Sequence, residues 1–357
     1  MALVYVSSVK ALGGKSMVCL GLARRMLDDG FKLAFIKPYG GKPIQVEGKF
    51  TDSSAWMINQ ALGLNQTPAQ CCPVVRTQDL LTLALRGECG DLMSTAAAQC
   101  RELAQGKDLV LSAGEGTLRS GSMMGLGGYQ TVLDLDARAI LVDRYENEFF
   151  LDDVLSAHYR LGDNLAGVII NGVDREMNAV LDEQVIPFLA KAGVRTLGVI
   201  PKDDLLASVS VRAMSDSLGA KPLSGLEYMD RLVKRVLIGA MQVSNARRFF
   251  GAKRDFACIV GGDRPDMQLA AIEGGAACLV LTGNFYPGDI ILSRAEEHKV
   301  PVIVARGDTY SVANTLDQVH RRGALDEPEK VQRAYELVAQ GVDFAALYES
   351  LGLRKPA

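Results

Sequence analysis

Short runs rich in Val, Ile and Leu alternate along this chain with stretches in which apolar residues return at helical spacing. That alternation predicts a parallel sheet with crossover helices, an α/β architecture. The first run, Leu3 to Val6, leads into a glycine loop, and a helix is predicted from Lys15 to Leu27 with Val18, Leu20, Leu22, Ala23 and Met26 on its core face. Gly30 ends that helix, and a second strand from Lys32 to Ile36 stops at Lys37-Pro38. Further strands are expected at Leu109 to Ser112, Ala139 to Val142, Gly167 to Ile170 and Leu197 to Ile200. In open parallel sheets ligands sit beyond the carboxyl ends of the strands, so the polar residues there are the first candidates for chemistry.

The segment GAKPLSG, Gly219 to Gly225, has the turn composition of a linker, and a second α/β pattern follows it. Its strands are predicted at Phe256 to Val260, Cys278 to Thr282 and Val302 to Ala305, and its helices near Asp266 to Ile272, Asp289 to Glu297 and Ser311 to Val319. Two short helices are expected between Pro328 and Leu351, anchored by Ala334, Leu337, Val338, Phe344, Leu347 and Leu351. At 357 residues the chain exceeds what one core usually serves. The expected division is a larger domain over 1–218, a smaller α/β domain over 226–322 and a helical tail over 323–357.

Composition narrows the classes of partner. A hydrophobic fraction of 48% and a charged fraction of 23% suit packed cores, and a net charge of -3 gives no polyanion-binding balance, so neither nucleic acid nor an anionic membrane surface is expected. No apolar run is long enough to span a bilayer, and the start, MALVYVSS, reads as a first strand, with neither a basic leader nor a cleavage pattern. Seven cysteines scattered without metal-ligand spacing fit reduced thiols and a cytoplasmic location.

The segment SVKALGGKS, Ser8 to Ser16, lies between the first strand and the first helix. In that context a glycine loop ending in GKS is a phosphate cradle: glycines admit the backbone to the phosphates, the helix amino terminus supplies unpaired N–H groups, Lys15 adds charge and Ser16 a hydroxyl for magnesium. The expected ligand is a purine nucleoside triphosphate, ATP with Mg2+, held by Ser8, Val9, Lys10, Leu12, Gly13, Gly14, Lys15, Ser16 and Met17. Val9 stands where the common GxxxxGK[ST] form has its first glycine, and Lys10 stands where a subclass of these ATPases carries a second lysine.

With this loop, Lys37-Pro38 and the segments TDSSAWMINQALGLN, CCPVVRTQDLL, AGVIINGVD and TLGVIPKDDLL, the first two thirds of the chain resembles the dethiobiotin-synthetase-like P-loop proteins. It is closer still to the non-catalytic amino-terminal region of long phosphotransacetylases. The resemblance implies a P-loop NTPase sheet flanked by helices, with Asp52 joining Ser16 at magnesium, Asn171 on the adenine edge, and Lys37 with Lys15 at the reaction site. Read locally, Asp52 is equally a helix N-cap and Asn171 a turn residue beside Gly172. In DLVLSAGEGT the family's acid before the first glycine is replaced by Ala113, and Glu115 follows two residues later; either Glu115 substitutes as the metal partner from a shifted loop, or the site binds nucleotide without efficient hydrolysis. Phosphoryl transfer depends on metal orientation, so this replacement favours binding over turnover.

From Leu226 the segments LEYMDRLVKRVLIGAMQVSNARRFF, VGGDRPDMQLAAIEGG, CLVLTGNFYPGDIILSRAEEHKVPVIV and GDTYSV resemble the DRTGG domain. Asp263 and Arg264, Thr282 and Asn284, and Asp308 and Thr309 end neighbouring strands and form a candidate effector or subunit interface. The first functional reading is therefore a regulatory nucleotide-binding protein, expected to be a homo-oligomer, with at most slow ATP hydrolysis and no acetyl transfer by this chain alone. The alternative is an ATP-dependent ligase of the dethiobiotin synthetase or cobyrinic acid diamide synthase type. A third reading is a scaffold with a relic P-loop.

Overall fold

The computed structural model of the protein describes residues 2–147, 149–322, 325 and 327–356. The chain divides into two compact units, Met1–Lys202 with Leu325–Ala357, and Asp203–Ala324.

In the first unit the elements that matter for the site are β1 (Ala2–Ser7), α1 (Lys15–Asp28), β2 (Leu33–Ile36), α2 (Ser53–Leu62), β3 (Leu109–Ala113), β4 (Arg138–Arg144), α3 (Phe149–Leu161), β5 (Leu165–Val173) and β6 (Thr196–Pro201). The strands pair in the order β6-β5-β4-β1-β3-β2, all parallel. Val4, central in β1, faces Leu111 on one side and Arg138 on the other. Strands covered by helices on both faces must be apolar throughout, which is why β2 and β3 are buried along their whole lengths. The order runs outward in both directions from β1, so the carboxyl ends of β1, β3 and β4 open on one crevice. A short hairpin, Pro43–Val46 with Lys49–Asp52, delivers Asp52 to the start of α2.

The second unit contains α4 (Val211–Leu218), β7 (Lys221–Ser224), β8 (Arg235–Ile238), α5 (Val243–Gly251), β9 (Phe256–Gly261), α6 (Pro265–Glu273), β10 (Cys278–Thr282), α7 (Asp289–Glu297), β11 (Val302–Val304) and α8 (Thr309–Arg322). Its sheet runs β7-β11-β10-β9-β8, parallel except for the antiparallel edge strand β7. Phe250, Phe256, Met267 and Leu279 fill one side of that sheet, and Met214, Ile259, Ile303 and Leu316 fill the other.

The units divide at Lys202 and Asp203, ahead of the GAKPLSG segment in which the turn composition places a linker. Gly219 caps α4 in the left-handed region, and Lys221–Ser224 is the edge strand β7, so the turn residues there serve a connection inside the second unit. The tail also takes a definite place. Its first residues, 323, 324 and 326, lie outside the described residues, but its helices α9 (Pro328–Gly341) and α10 (Phe344–Leu351) belong to the first unit. All six expected anchors are buried, and a Cβ on Gly21 of α1 would stand 2.4 Å from Val338 Cβ. The seven cysteines are free, and no helix among the described residues is long and apolar enough to cross a membrane.

Candidate functional site

β1 ends at Ser7, and the chain turns through SVKALGG into α1. Gly14 makes that turn at φ 94°, and a Cβ there would stand 2.0 Å from Asn171 Nδ2, so both the backbone and its neighbour require glycine. Leu12 is also left-handed at φ 66°. Lys15 and Ser16 open α1, so their N–H groups have no intrahelical partner and lie at the positive end of the helix dipole. Met17 turns into the core. The Lys15 ammonium donates to Ser8 Oγ at 2.7 Å and to Gly116 O. Burial pulls the Lys15 pKa below its ordinary value, against the pull of the Asp143 and Glu115 carboxylates. Lys10 leans away to pair with Asp153 of α3 at 3.3 Å.

A second cluster adjoins the loop through Glu115-Gly116. Lys37 Nζ lies 2.9 Å from Asp52 Oδ1, 2.5 Å from Glu115 Oε2 and 3.1 Å from Ser54 Oγ. Asp52 is a helix cap as well: its Oδ1 accepts from Ser54 N and Ala55 N, and its Oδ2 from Lys42 N. Glu115 Oε2 also accepts from Gly41 N at 3.1 Å. Burial alone would lower the Lys37 pKa, but the two carboxylates outweigh it and hold the ammonium above its ordinary value. Glu115, two residues beyond Ala113 at the end of β3, thus faces Asp52 across Lys37.

Asn171, in the last turn of β5, donates Nδ2 to Gly13 O at 2.9 Å and is buried. One of its two amide N–H donors thus braces the loop.

Sequence reasoning passed over Asp143. This residue follows the apolar run of β4, is fully buried, and accepts from Val9 N at 2.8 Å and Lys10 N at 3.1 Å. An acid directly after AILV at a strand end was the available signal.

Two family models match the chain: an AAA domain over residues 3–210 and a DRTGG domain over residues 214–319. The chain belongs to this AAA-domain family. It is 26% identical to the phosphate acetyltransferase of Pseudomonas aeruginosa over 95% of this chain and 50% of that protein. It is 24% identical to the phosphate acetyltransferase of Synechocystis over the same shares. The chain therefore spans about half the length of these curated relatives. A solved structure of the CBS and DRTGG domains of the regulatory region of Clostridium perfringens pyrophosphatase, complexed with its activator diadenosine tetraphosphate, aligns at 18% identity and TM-score 0.30. That alignment covers 41% of this chain and 74% of that one.

In the AAA domain the donors expected at magnesium are a hydroxyl and two carboxylates, hard oxygens of the right kind. Among the described residues no group of three or more His, Cys, Asp or Glu could hold a metal ion. Asp52 and Glu115 are both engaged by Lys37, so an ion here would share their oxygens with that ammonium and take its remaining ligands from phosphate and water, as magnesium usually does.

In the DRTGG domain the polar strand ends are largely self-satisfied. Arg264 pairs with Asp266 at 3.0 Å rather than with Asp263, because Arg264 is itself the N-cap of α6 and Asp266 lies in its first turn. Asp308 accepts from Tyr310 N and Ser311 N at the start of α8, and Thr282 Oγ1 meets Thr309 Oγ1 at 3.0 Å. Asn284 is left-handed at φ 58° and donates its N–H to Ala305 O. Gln268, fully buried and not singled out by the sequence, donates to Gly261 O and Gly262 O beneath these residues. Phe285, Tyr286 and Tyr310 are exposed beside them.

Proposed function

We propose that this protein binds ATP with Mg2+ at the loop of its AAA domain as a regulatory ligand, and that its DRTGG domain is the sensory or oligomerisation module. The observation that carries this reading is the loop itself: a left-handed Gly14 delivering the open N–H groups of α1 beside a buried lysine. Ser16, Asp52 and Glu115 would hold magnesium, which would supply positive charge to the phosphate oxygens. In the ligase alternative Lys15 and Lys37 flank a phosphorylated or carbamylated substrate. The Lys37 charge is already taken up by Asp52 and Glu115 on two sides, and that supports sensing over group transfer.

The test is calorimetry of ATP and ADP, with and without magnesium, on the wild type and Lys15→Ala. Wild-type binding that Lys15→Ala loses, without steady phosphate release, is the expected outcome. Saturation at a hundredfold over Kd should also stabilise the wild type by about 2.7 kcal/mol. A wild type that binds neither nucleotide sinks the proposal, and steady turnover with an added carboxylate or amine co-substrate replaces it with the ligase reading.

A further inference from the structure

The two N–H groups held by Asp143 belong to Val9 and Lys10, where the loop departs from the glycine form. Both N–H groups donate to a protein carboxylate. Asp143 reaches them because β4 lies directly beside β1, with Ser7 opposite Leu141, so the end of β4 stands next to the start of the loop. The carboxylate is fully buried and forms no ion pair among the described residues: Lys15 of α1 attracts it only at longer range, Asp153 of α3 repels it, and Lys10 turns its own ammonium to Asp153. A buried charge held by two amide donors and no cation is an expensive arrangement, one expected where the geometry it imposes is used.

We propose that Asp143 is the positioning residue of the phosphate loop: it acts as an internal anion that anchors the loop at Val9 and Lys10 and leaves the ligand's phosphate to the donors from Gly13 to Ser16. This assignment rests on the nucleotide reading above. Asp143 touches no ligand; it sets the path of the backbone that does.

Asp143→Ala and Asp143→Asn should be compared with wild type by calorimetry using ATP and ADP from pH 5 to 8, with circular dichroism to establish that each variant is folded. Loss of the charged acceptor should weaken nucleotide binding about tenfold to a hundredfold in Asp143→Ala. The loss should be smaller in Asp143→Asn, which keeps one acceptor oxygen. Wild-type affinity relative to the Asn variant should rise as pH increases through about 6, where this carboxylate ionises. The ratio removes the titration of the nucleotide itself. Amide exchange at Val9 and Lys10 should quicken in Asp143→Ala. Equal affinity of wild type and Asp143→Ala, or a flat ratio across that pH range, overturns the assignment while leaving the nucleotide reading intact. A wild type that binds no nucleotide overturns both.

Discussion

Lys37 Nζ lies 2.9 Å from Asp52 Oδ1, with both side chains almost wholly enclosed. Their partnership joins the end of β2 to the start of α2, because Asp52 is also the cap of that helix. Glu115 adds a second carboxylate to the same ammonium, so one positive charge answers two negative ones in a buried place.

Removing the positive charge should therefore cost much more than removing a surface lysine. Lys37→Met leaves Asp52 and Glu115 facing each other and should destabilise the protein by about 3–5 kcal/mol in chemical denaturation. Burial opposes the ionised Asp52, but Lys37 and the hydrogen bonds of Ser54 and Lys42 prevail and hold its carboxyl below the ordinary range. A depressed acid contributes stability above its unfolded pKa of about 4 and loses it as pH falls further. The gap between Lys37→Met and wild type should narrow as pH drops below about 4. A gap that is constant with pH would mean that packing, not charge, holds the cluster.

What the sequence made legible was whatever rests on neighbouring residues. A strand buried on both faces has to be a continuous apolar run, so Leu3 to Val6 and Cys278 to Thr282 stand out, and a helix that begins at a GKS turn announces its first residue. The contacts that shape the site are different in kind. Val9 and Asp143 are 134 residues apart, and they meet only because β1 and β4 pair in a particular register. The strand β8, Arg235–Ile238, lies at a sheet edge and is partly exposed, so it lacks the buried signature that marked its neighbours. The tail helices show their apolar anchors in sequence, yet nothing local says that they dock on α1 and not on the unit that precedes them.

That docking gives a prediction about the loop's helix. Gly21 lies in the middle of α1, where glycine costs about 1 kcal/mol relative to alanine, and its return is close approach to α9. Gly21→Ala should nevertheless destabilise, by about 1–3 kcal/mol, because the new methyl would meet Val338 at 2.4 Å. In a Val338→Ala background the same substitution should be nearly neutral or stabilising. The double-mutant cycle should give a coupling of about 1 kcal/mol or more. A coupling of zero would show that α9 does not rest on Gly21.

The last prediction concerns the cost of ionising Asp143. Burial raises its carboxyl to about 6, against the lowering effect of the Val9 and Lys10 N–H groups and of Lys15. The sign is opposite to that at Asp52. An acid raised in the folded state contributes stability that is fully present below its unfolded pKa, about 3.9, and is lost as pH rises through the folded value. Raising the carboxyl to about 6 corresponds to on the order of 3 kcal/mol, given up between roughly pH 4 and pH 7. Asp143→Asn has no such titration. Its stability relative to wild type should therefore move in the variant's favour by that order across the same range, read from urea midpoints at matched ionic strength. At neutral pH the wild type thus carries a charge that works against its own fold, as expected where a loop geometry is maintained for ligand binding rather than for stability. A stability difference that runs the other way with pH would show that the carboxylate is held by a cation, and would remove the reason for treating it as the loop's anchor.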